Sequence, residues 1–473
     1  MKIKKGQPVE VDITDVAFGG RGLVRLNGLA VFVDQAIPGD RASIRIYKKK
    51  KNYAEARVVE LIESSPFRIK APCEYSGFCG GCKWQFLGYD QQLIYKRQHV
   101  MESLEHIGLI KDTVVHPTIP SEVIFGYRNK MEFSCADRRW LLPDELDRED
   151  IDRDFAIGLH VPGTFHKVID TRQCLLQPDL GNRLLGEVRA YMRSSGRPVY
   201  GLRSQEGFWR FLMLRHSVAN DQWMVNIVTA AEDVKAVQPL ADRILDNYPQ
   251  VVSVINNVTS RKAGVAVGEF ERVLAGTGVI ADRIGDFEFE ISANSFFQTN
   301  SRGAALLYDT VKEYAGLSGA ETVLDLYSGT GTIPIIISGY CREVLGIEIV
   351  ESAVADAEAN CRKNGVTNCT FIQGDIRQCL SGIKHRPDVL IIDPPRMGMH
   401  KDVVKQVLEL GVERIVYVSC NPATLARDIG MMGDGYRLIE VQPVDMFPHT
   451  YHIEAVARMI KVQRSGFKGS GFS

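Results

Sequence analysis

Between Thr322 and Val441 the sequence alternates apolar strand-like runs with helical segments, and this alternation constrains the fold more than any other feature. The predicted strands are Thr322–Leu326, Glu343–Ile347, Cys369–Gln373, Val389–Ile392, Arg414–Ser419 and Tyr436–Val441. Such alternation is typical of a doubly wound, mainly parallel sheet. The carboxyl ends of parallel strands meet at one edge, so polar residues that follow these strands are predicted to form a site there.

The first strand runs into a glycine-rich turn, Asp325-Leu-Tyr-Ser-Gly-Thr-Gly-Thr332. Glycines let the backbone approach a ligand closely. Glu348 ends the second strand, where a carboxylate can bind ribose hydroxyls, and Asp375 follows the third, where it can meet an adenine amine. The turn lacks the third glycine that usually accompanies a pyrophosphate, and Asp325 repels phosphate but suits a cationic methionine group. The pattern therefore favours S-adenosylmethionine over a dinucleotide.

Candidate catalytic residues follow two further strands. Asp393-Pro-Pro-Arg396 closes the fourth strand, and its prolines stiffen the loop that holds Asp393 near the cofactor. Arg396 stands where many amino-group methyltransferases carry an aromatic residue, which argues against methylation of an exocyclic amine. The fifth strand delivers Cys420. A cysteine there is either small buried filler or a nucleophile, and its position beside Asp393 and the cofactor turn favours the nucleophile.

A nucleophilic thiol fits methylation of carbon 5 of uracil, an atom that is not nucleophilic enough to take a methyl group unaided. Addition of a thiolate to carbon 6 makes an enolate, and a base must later remove the proton from carbon 5. Glu454 is the predicted base, because a carboxylate partly desolvated beside a flipped-out base has a raised pKa. His449 and His452 are alternatives, and cytosine-5 methylation uses the same thiol chemistry.

The remaining sequence predicts two more domains. Residues 8–62 contain five strand-like runs with glycine-rich turns, which suits a small all-β barrel of the oligonucleotide-binding type. Residues 123–290 mix strands and helices in an α+β manner. The predicted boundaries are 1–63 for the barrel, 64–288 for the central domain, 289–463 for the α/β domain and 464–473 for a flexible tail, with 93–122 as a helical segment that packs on the α/β domain.

The net charge is −1, so the whole chain is not an electrostatic nucleic-acid binder, but residues 1–70 hold 14 Lys and Arg against 8 Asp and Glu. Within them, Lys48 and Lys49 belong to a lysine run between two tyrosines that is either a phosphate-binding segment or a solvated hairpin tip. Arg128, Lys130 and the stretch Arg210–Arg215 are further candidate RNA contacts, or ordinary strands with basic ends. No membrane span or signal peptide is indicated, so a cytoplasmic protein is expected.

Four cysteines form a separate pattern: Cys73-x5-Cys79-x2-Cys82, followed by Cys174. Glycines between the first three allow the loop to wrap around a metal centre. The spacing indicates zinc or an iron–sulfur cluster and does not distinguish between them.

Five motifs together resemble the RNA uracil-5-methyltransferase family: Asn294-Ser-Phe-Phe-Gln-Thr-Asn300, the glycine-rich turn, Asp393-Pro-Pro-Arg396, Ser419-Cys-Asn-Pro422 and His449-Thr-Tyr-His-Ile-Glu454. Residues 8–62 resemble its N-terminal TRAM domain. The resemblance implies cofactor contacts at Gln298, Tyr327, Glu348 and Asp393, the nucleophile at Cys420 and the base at Glu454. It also implies an RNA contact at Phe296. Thr332 stands where relatives often have Asn, so its cofactor contact is a departure from the family pattern.

The same resemblance implies that the four cysteines hold a [4Fe-4S] cluster, which braces an RNA-binding surface because methyl transfer needs no electrons. It favours 23S ribosomal RNA as substrate, with the T-loop uridine of transfer RNA as the alternative. A non-catalytic iron–sulfur RNA-binding or assembly protein is the competing class, against which Cys420, Asp393 and Glu454 speak. We expect a monomer with no DNA or membrane partner.

Overall fold

The computed structural model describes residues 5–262, 266, 268–383 and 386–462, so the predicted tail at 464–473 lies outside the described residues. The chain divides into two compact units. The first unit contains the residues up to Tyr95, Pro120–Ala304 and Met446–His452, and the second contains Lys96–Ile119, Ala305–Asp445 and the residues from Ile453 onward. No described helix has the length and apolar character needed to cross a membrane.

A curled six-stranded sheet opens the first unit. Its strands are β1 (Pro8–Asp12), β2 (Asp15–Ala17), β3 (Arg21–Leu26), β4 (Leu29–Asp34), β5 (Arg41–Lys49) and β6 (Tyr53–Glu63), in the order β1-β5-β6-β4-β3-β2. Alternate apolar side chains such as Val31 and Ile44 fill its core. The chain passes between the two edges at Ile13 and Thr14, whose N–H groups donate to the carbonyls of Asp40 and Leu23. The predicted barrel thus has a sixth strand, β2, that was not expected.

Helix α1 (Tyr89–His106) is followed by strand β7 (Val114–Val115). The prediction of a helical segment over 93–122 is therefore wrong beyond His106. Gly108 lies so close to a neighbouring helix that a Cβ there would stand 2.8 Å from the carbonyl oxygen of Ala426. The β-branched pair Val114–Val115 then extends the sheet of the second unit.

The central part of the first unit is an eight-stranded sheet with two helices, in agreement with the α+β prediction. Its strands are β8 (Lys130–Ala136), β9 (Arg139–Trp140), β10 (Ala156–His160), β11 (Val168–Asp170), β12 (Trp209–Ser217), β13 (Gln222–Thr229), β14 (Val251–Val258) and β15 (Phe270–Gly276), in the order β15-β14-β13-β12-β8-β10-β11-β9. The helices are α2 (Asp179–Ser194) and α3 (Val234–Asn247), and a hairpin of β16 (Val279–Ile284) and β17 (Phe287–Ser292) follows. Leu184 of α2 and Leu240 of α3 share one core with Trp209 and Trp223.

The second unit is built on an α/β sheet. Its helices are α4 (Ser301–Ala315), which starts in the first unit, α5 (Thr332–Ile337), α6 (Glu351–Lys363), α7 (Ile376–Cys379), α8 (Lys401–Leu410) and α9 (Pro422–Met432). Its strands are β18 (Thr322–Leu326), β19 (Glu343–Glu348), β20 (Cys369–Gln373), β21 (Val389–Ile392), β22 (Arg414–Ser419), β23 (Tyr436–Val444) and β24 (Glu454–Lys461), in the order β20-β19-β18-β21-β22-β24-β23-β7.

Strands β18 to β22 run parallel, as predicted, and the strand order reverses at β18. Strand β24 was not predicted. It inserts antiparallel between β22 and β23, so that its first residue, Glu454, lies at the edge where the parallel strands end. The compact units divide at Ala304, whereas the predicted boundary of this domain was 289.

The segment Met446–His452, between β23 and β24, packs within the first unit. The carbonyl of His449 accepts hydrogen bonds from the N–H groups of Lys83 and Trp84, each at 2.9 Å. The His449 ring stacks on Phe125 with 4.2 Å between ring centroids, and the residue is buried. His449 is therefore fixed by its surroundings in the first unit, which favours Glu454 over this histidine as the base.

Candidate active site

Four side chains capable of acid–base or nucleophilic chemistry lie at neighbouring strand ends of the second unit. Asp325 is on β18, Asp393 follows β21, Cys420 follows β22 and Glu454 begins β24. The antiparallel register of β22 and β24 places the residue after β22 beside the first residue of β24. The structure thus brings together Cys420, Asp393 and Glu454, which the sequence predicted as one catalytic set.

The carboxyls at this edge favour their protonated forms. Burial raises the pKa of Asp393 to about 7. Burial and then the charge of Asp393 raise the pKa of Asp325 and of Glu454 well above the usual range, while Arg396 lowers that of Glu454. Asp325 is 1% exposed, and neither of its carboxylate oxygens has a hydrogen-bond partner among the described residues. Because a buried unpaired carboxylate is costly, this edge is suited to receive a cation.

Cys420 is half-buried, and its thiol is influenced by the carboxyl of Glu454 and the guanidinium of Arg396. Burial and then the charge of Glu454 raise the pKa of the Cys420 thiol to about 11. Arg396 acts in the opposite direction through its charge and a hydrogen bond to the thiol. In the unliganded protein the thiol is therefore protonated near neutral pH, and Arg396 is the group that favours the thiolate.

Helix α9 holds the loop that carries Arg396. Asn421 caps the helix, since its side-chain oxygen accepts from the N–H of Ala423 at 3.1 Å. Its amide nitrogen also donates to the carbonyl of Arg396 at 3.0 Å. This role was not predicted, although an Asn-Pro pair at the start of a helix was an available signal.

A second anchor of the same loop is Asp428, which is fully buried. Its carboxylate accepts hydrogen bonds from the N–H of Met399 at 2.7 Å and from the hydroxyl of Tyr417 at 2.6 Å. No local pattern in the sequence indicates this role, because both partners are remote from Asp428 along the chain. The loop after Asp393 is thus fixed at two points, both of which follow the two prolines.

The glycine-rich turn after β18 forms the candidate cofactor site. Its backbone is left-handed at Tyr327, Gly329 and Gly331, with φ of 67°, 53° and 75°. The carboxylate of Glu348 accepts hydrogen bonds from the N–H groups of Gly329 and Val350, each at 2.9 Å. The predicted contacts Tyr327 and Glu348 therefore lie in one cradle, in which the turn itself fixes the carboxylate.

Two other predicted cofactor contacts form local interactions at this edge. Asp375 caps α7 by accepting from the N–H of Arg377 at 2.9 Å, and it pairs with the Arg377 guanidinium at 2.5 Å. These hydrogen bonds lower the pKa of Asp375 to about 2, so its carboxylate stays ionised. The hydroxyl of Thr332, the first residue of α5, lies 3.4 Å from that of Thr330.

Gln298 and Phe296 lie in the loop between β17 and α4, within the first unit. The side-chain amide of Asn129 donates to the carbonyl of Gln298 at 2.9 Å. Buried Arg215 donates to the carbonyl of Ser295 at 2.5 Å. The braced backbone leaves the Phe296 ring 68% exposed.

The predicted RNA-binding cations lie in different environments. Arg210 and Arg215 are 2% and 3% exposed, so the stretch they bracket is an interior strand and not an RNA contact. Lys48 is exposed but donates to the carboxylate of Glu55 at 2.7 Å. Lys130 is half-buried, and burial lowers its pKa. Lys49 ends β5 at the surface, beside the hairpin turn.

The four predicted metal-binding cysteines line one cavity of the first unit, with Arg128: Cys73, Cys79, Cys82 and Cys174. The N–H of Gly81 donates to Cys79 Sγ at 3.4 Å, and the amide of Gln85 donates to Cys82 Sγ at 3.2 Å. Burial raises the pKa of Cys79 and of Cys82 to about 12. Within the described residues, no set of three or more His, Cys, Asp or Glu side chains is positioned to hold a metal ion. Arg128, predicted as an RNA contact, faces these thiols.

Comparisons with known proteins identify the family to which the chain is similar. Residues 213–462 match the family model described as tRNA (Uracil-5-)-methyltransferase, and residues 2–59 match the TRAM domain. An uncharacterized RNA methyltransferase of Chlorobaculum tepidum is 44% identical and covers 97% of each chain. Another, from Porphyromonas gingivalis, is 40% identical and covers 95% of this chain and 99% of its own.

One solved structure resembles nearly the whole chain. It is the Pyrococcus abyssi tRNA (uracil-54, C5)-methyltransferase in complex with S-adenosyl-L-homocysteine, with 30% identity and a TM-score of 0.75. The match covers 96% of this chain and 100% of the other. Identity and coverage at this level indicate a common family and not only a common fold.

Proposed function

Since this chain belongs to the RNA uracil-5-methyltransferase family, we propose that Cys420 is the nucleophile and Glu454 the proton acceptor with which it forms 5-methyluridine in RNA. The observation that carries this proposal is the convergence of Cys420, Asp393 and Glu454 at one edge of the sheet. Arg396 and the anchored loop supply the positive charge that a thiolate requires.

The residues at this edge fit S-adenosylmethionine, the methyl donor of the family. When bound, it supplies an electrophilic methyl group on a positively charged sulfur. Asp325, buried and without a hydrogen-bond partner among the described residues, offers a carboxyl to the cationic methionine part. Glu348 is fixed beside the turn to accept from ribose hydroxyls. Further proposed contacts are Gln298, Tyr327, Thr332, Asp375 and Asp393.

The chemistry follows from the acids and the thiol. The Cys420 thiolate forms a bond to carbon 6 of uracil, and the electron pair of the carbon 5–carbon 6 double bond moves to the carbonyl oxygen as an enolate. Carbon 5 then takes the methyl group while the methyl–sulfur bond of the donor breaks. Glu454 removes the proton from carbon 5, the double bond re-forms and Cys420 leaves as thiolate. Asp393 positions the reacting groups between cofactor and base.

For this cycle Glu454 must accept a proton, although burial and the charge of Asp393 raise its pKa. A raised pKa makes the carboxylate a stronger base, and the charge of Arg396 favours its ionised form. A target base held in folded RNA must first be extruded to reach Cys420, because the thiol is fixed at the end of a buried strand.

We propose large-subunit 23S ribosomal RNA as the first substrate and expect the enzyme to act as a monomer. The joint presence of the TRAM domain, the four-cysteine pattern and the catalytic set supports this choice. Transfer RNA is the second candidate. The 30% identity over nearly the whole chain to a tRNA (uracil-54, C5)-methyltransferase specifically favours it.

The two substrates are separated by incubating the full-length protein with each purified RNA and methyl-labelled S-adenosylmethionine, followed by nucleoside analysis. Label in 5-methyluridine of 23S RNA and not of transfer RNA supports the first choice. Label in transfer RNA alone overturns it. Label in 5-methylcytidine, or no label with a protein that binds the donor, would overturn the uracil chemistry itself.

We further propose that the four cysteines hold a [4Fe-4S] cluster. They line one cavity, and two of the thiols accept hydrogen bonds from amide N–H groups, which stabilise thiolate ligands. In a cubic cluster each thiolate binds a different iron, and Arg128, which lines the same cavity, would offset the negative charge of the cluster.

Anaerobic purification with iron, sulfide and zinc analysis tests this proposal. We expect iron and acid-labile sulfide in equal amounts, lost in Cys79→Ser and Cys82→Ser. Cys135→Ser is the matched control, since Cys135 is buried on β8 and does not line the cavity. Stoichiometric zinc without sulfide would overturn the cluster.

A further inference from the structure

A groove at one edge of the central sheet carries charged and aromatic residues that the proposed reaction does not use. It encloses about 450 Å³ beside β9, the last strand of the sheet. The side chains that matter here are Arg138, Trp140, His166, Lys167 and Arg203. A cavity of this size accommodates a nucleotide or another small ligand.

Three cations face the groove. In the described part of the chain, Arg138, Lys167 and Arg203 form no ion pair with a carboxylate. The Arg203 guanidinium donates to Nε2 of His166 at 2.6 Å. Burial, and then the charges of Arg203 and Lys167, lower the pKa of His166, which shows that both cations face the same space. An anion that enters the groove would therefore meet unneutralised positive charge.

Arg139 differs from these three residues. It is 8% exposed and its guanidinium is engaged by Glu145 and, at 3.8 Å, by Asp170. Its charge is thus neutralised by carboxylates of the same domain. The contrast separates a structural arginine from the cations that remain available at the same edge strand.

The groove also offers an aromatic surface. Trp140 is 37% exposed, and the Lys167 ammonium lies 3.9 Å from the centroid of its ring. Phe165, next to the groove, is 69% exposed and meets the His166 ring edge-on at 5.0 Å between centroids. Exposed aromatic rings beside cations are the elements with which proteins bind single-stranded RNA.

Two carboxylates complete the lining, Asp137 and Asp154. They would repel an acidic peptide, which in addition has no flat ring to match Trp140. A nucleotide matches all three elements, because its phosphate meets the cations, its base has a face for stacking and the N–H groups of the base need acceptors.

Building on the proposed function, we propose that this groove binds an unpaired nucleotide of the RNA substrate other than the target uridine. Arg138 and Arg203 hold the phosphodiester, and the base stacks on Trp140. Stacking depends little on base identity, so the groove anchors a single-stranded segment and does not read its sequence.

The tryptophans of the chain allow a direct test. Of the four, Trp84, Trp209 and Trp223 are at most 2% exposed, so Trp140 is the accessible one. Titration of the full-length protein with a short oligouridylate should quench tryptophan fluorescence in the wild type. In Trp140→Ala the quenching should disappear, and the affinity measured with a labelled oligonucleotide should fall about tenfold, as expected for the loss of one stacked base.

The cations are tested with the double variant Arg138→Ser/Arg203→Ser. Its affinity should fall about tenfold, and the slope of log K against log salt should decrease by about 1.4, since each lost phosphate contact on a single strand contributes about 0.7. The matched control is Arg183→Ser/Lys235→Ser, which removes two exposed cations of α2 and α3 in the same unit. It should bind like the wild type.

Methylation of the full RNA substrate supplies the second readout. The groove variants should raise KM for RNA about tenfold with kcat unchanged, because the groove is not part of the reacting centre. If the groove variants bind RNA with unchanged affinity and KM while the enzyme methylates uridine, the groove proposal is overturned and the proposed function stands. Groove-dependent oligonucleotide binding without methylation would instead overturn the proposed function.

Discussion

Replacement of Asp393 by Asn is expected to stabilise the unliganded protein at alkaline pH while it abolishes methylation. Burial raises the pKa of Asp393 to about 7, so the folded protein binds this proton more tightly than the unfolded chain does. Such a group contributes its full stability below the ordinary pKa of 3.8, and this contribution is lost as the pH rises through about 7. The wild type should therefore lose stability between these values.

The magnitude follows from the two pKa values. The interval from 3.8 to about 7 corresponds to about 4 kcal/mol at about 1.4 kcal/mol for each pKa unit. In the unfolded chain the Asp393 carboxyl is already mostly ionised at pH 5. The free energy of unfolding is therefore expected to change by about 2 to 3 kcal/mol between pH 5 and pH 8. Asp393→Asn keeps the shape of the side chain but cannot ionise. The free energy of unfolding of Asp393→Asn, relative to that of the wild type, should therefore rise by about 2 to 3 kcal/mol between pH 5 and pH 8.

Urea unfolding of the protein without S-adenosylmethionine, at pH 5 and at pH 8, measures this difference. The control is Asp434→Asn, because Asp434 is exposed and its carboxylate stays in water in both states. Equal effects of Asp393→Asn at the two pH values would refute the reasoning, since the carboxyl would then not be desolvated. Methylation by the same variant should fall at least 100-fold at both pH values.

Three further predictions concern the reacting groups. Cys420→Ala should bind S-adenosylmethionine within about twofold of the wild type but form no covalent adduct with 5-fluorouridine RNA on a denaturing gel; an adduct in this variant would exclude Cys420 as the nucleophile. Arg396→Gln should lower kcat more at pH 7 than at pH 9, because Arg396 lowers the pKa of Cys420; a loss independent of pH would contradict that role. Glu454→Gln should accumulate methylated RNA bound to Cys420, and free methylated RNA at the wild-type rate would exclude Glu454 as the proton acceptor.

Cys420 and Asp393 could be placed from sequence because each follows a continuous apolar run, and parallel strands end at one edge. Glu454 could be selected as a residue type, but its position could not be derived. It depends on β24 pairing antiparallel between β22 and β23, a contact between segments that local patterning does not encode. The helical segment predicted over 93–122 ends early for a similar reason: tight packing at Gly108 overrides the local pattern.

Basic residues were the least predictable. Arg128 and Arg215 carry the same charge as surface arginines, but one faces four thiols and the other donates to the carbonyls of a loop. The presence of a basic residue does not predict whether its side chain points to solvent or into the interior. Trp140 and its neighbouring cations were not predicted, since strand β9 is two residues long and the groove residues come from four separated segments.

The segment Met446–His452 packs in the first unit and leads directly to Glu454, the proposed proton acceptor. Its anchor is the carbonyl of His449, which accepts from the N–H groups of Lys83 and Trp84, the residues that follow Cys82. The chain then runs without interruption into Glu454. The backbone that leads to the proposed proton acceptor is therefore held at His449 by the residues that directly follow Cys82.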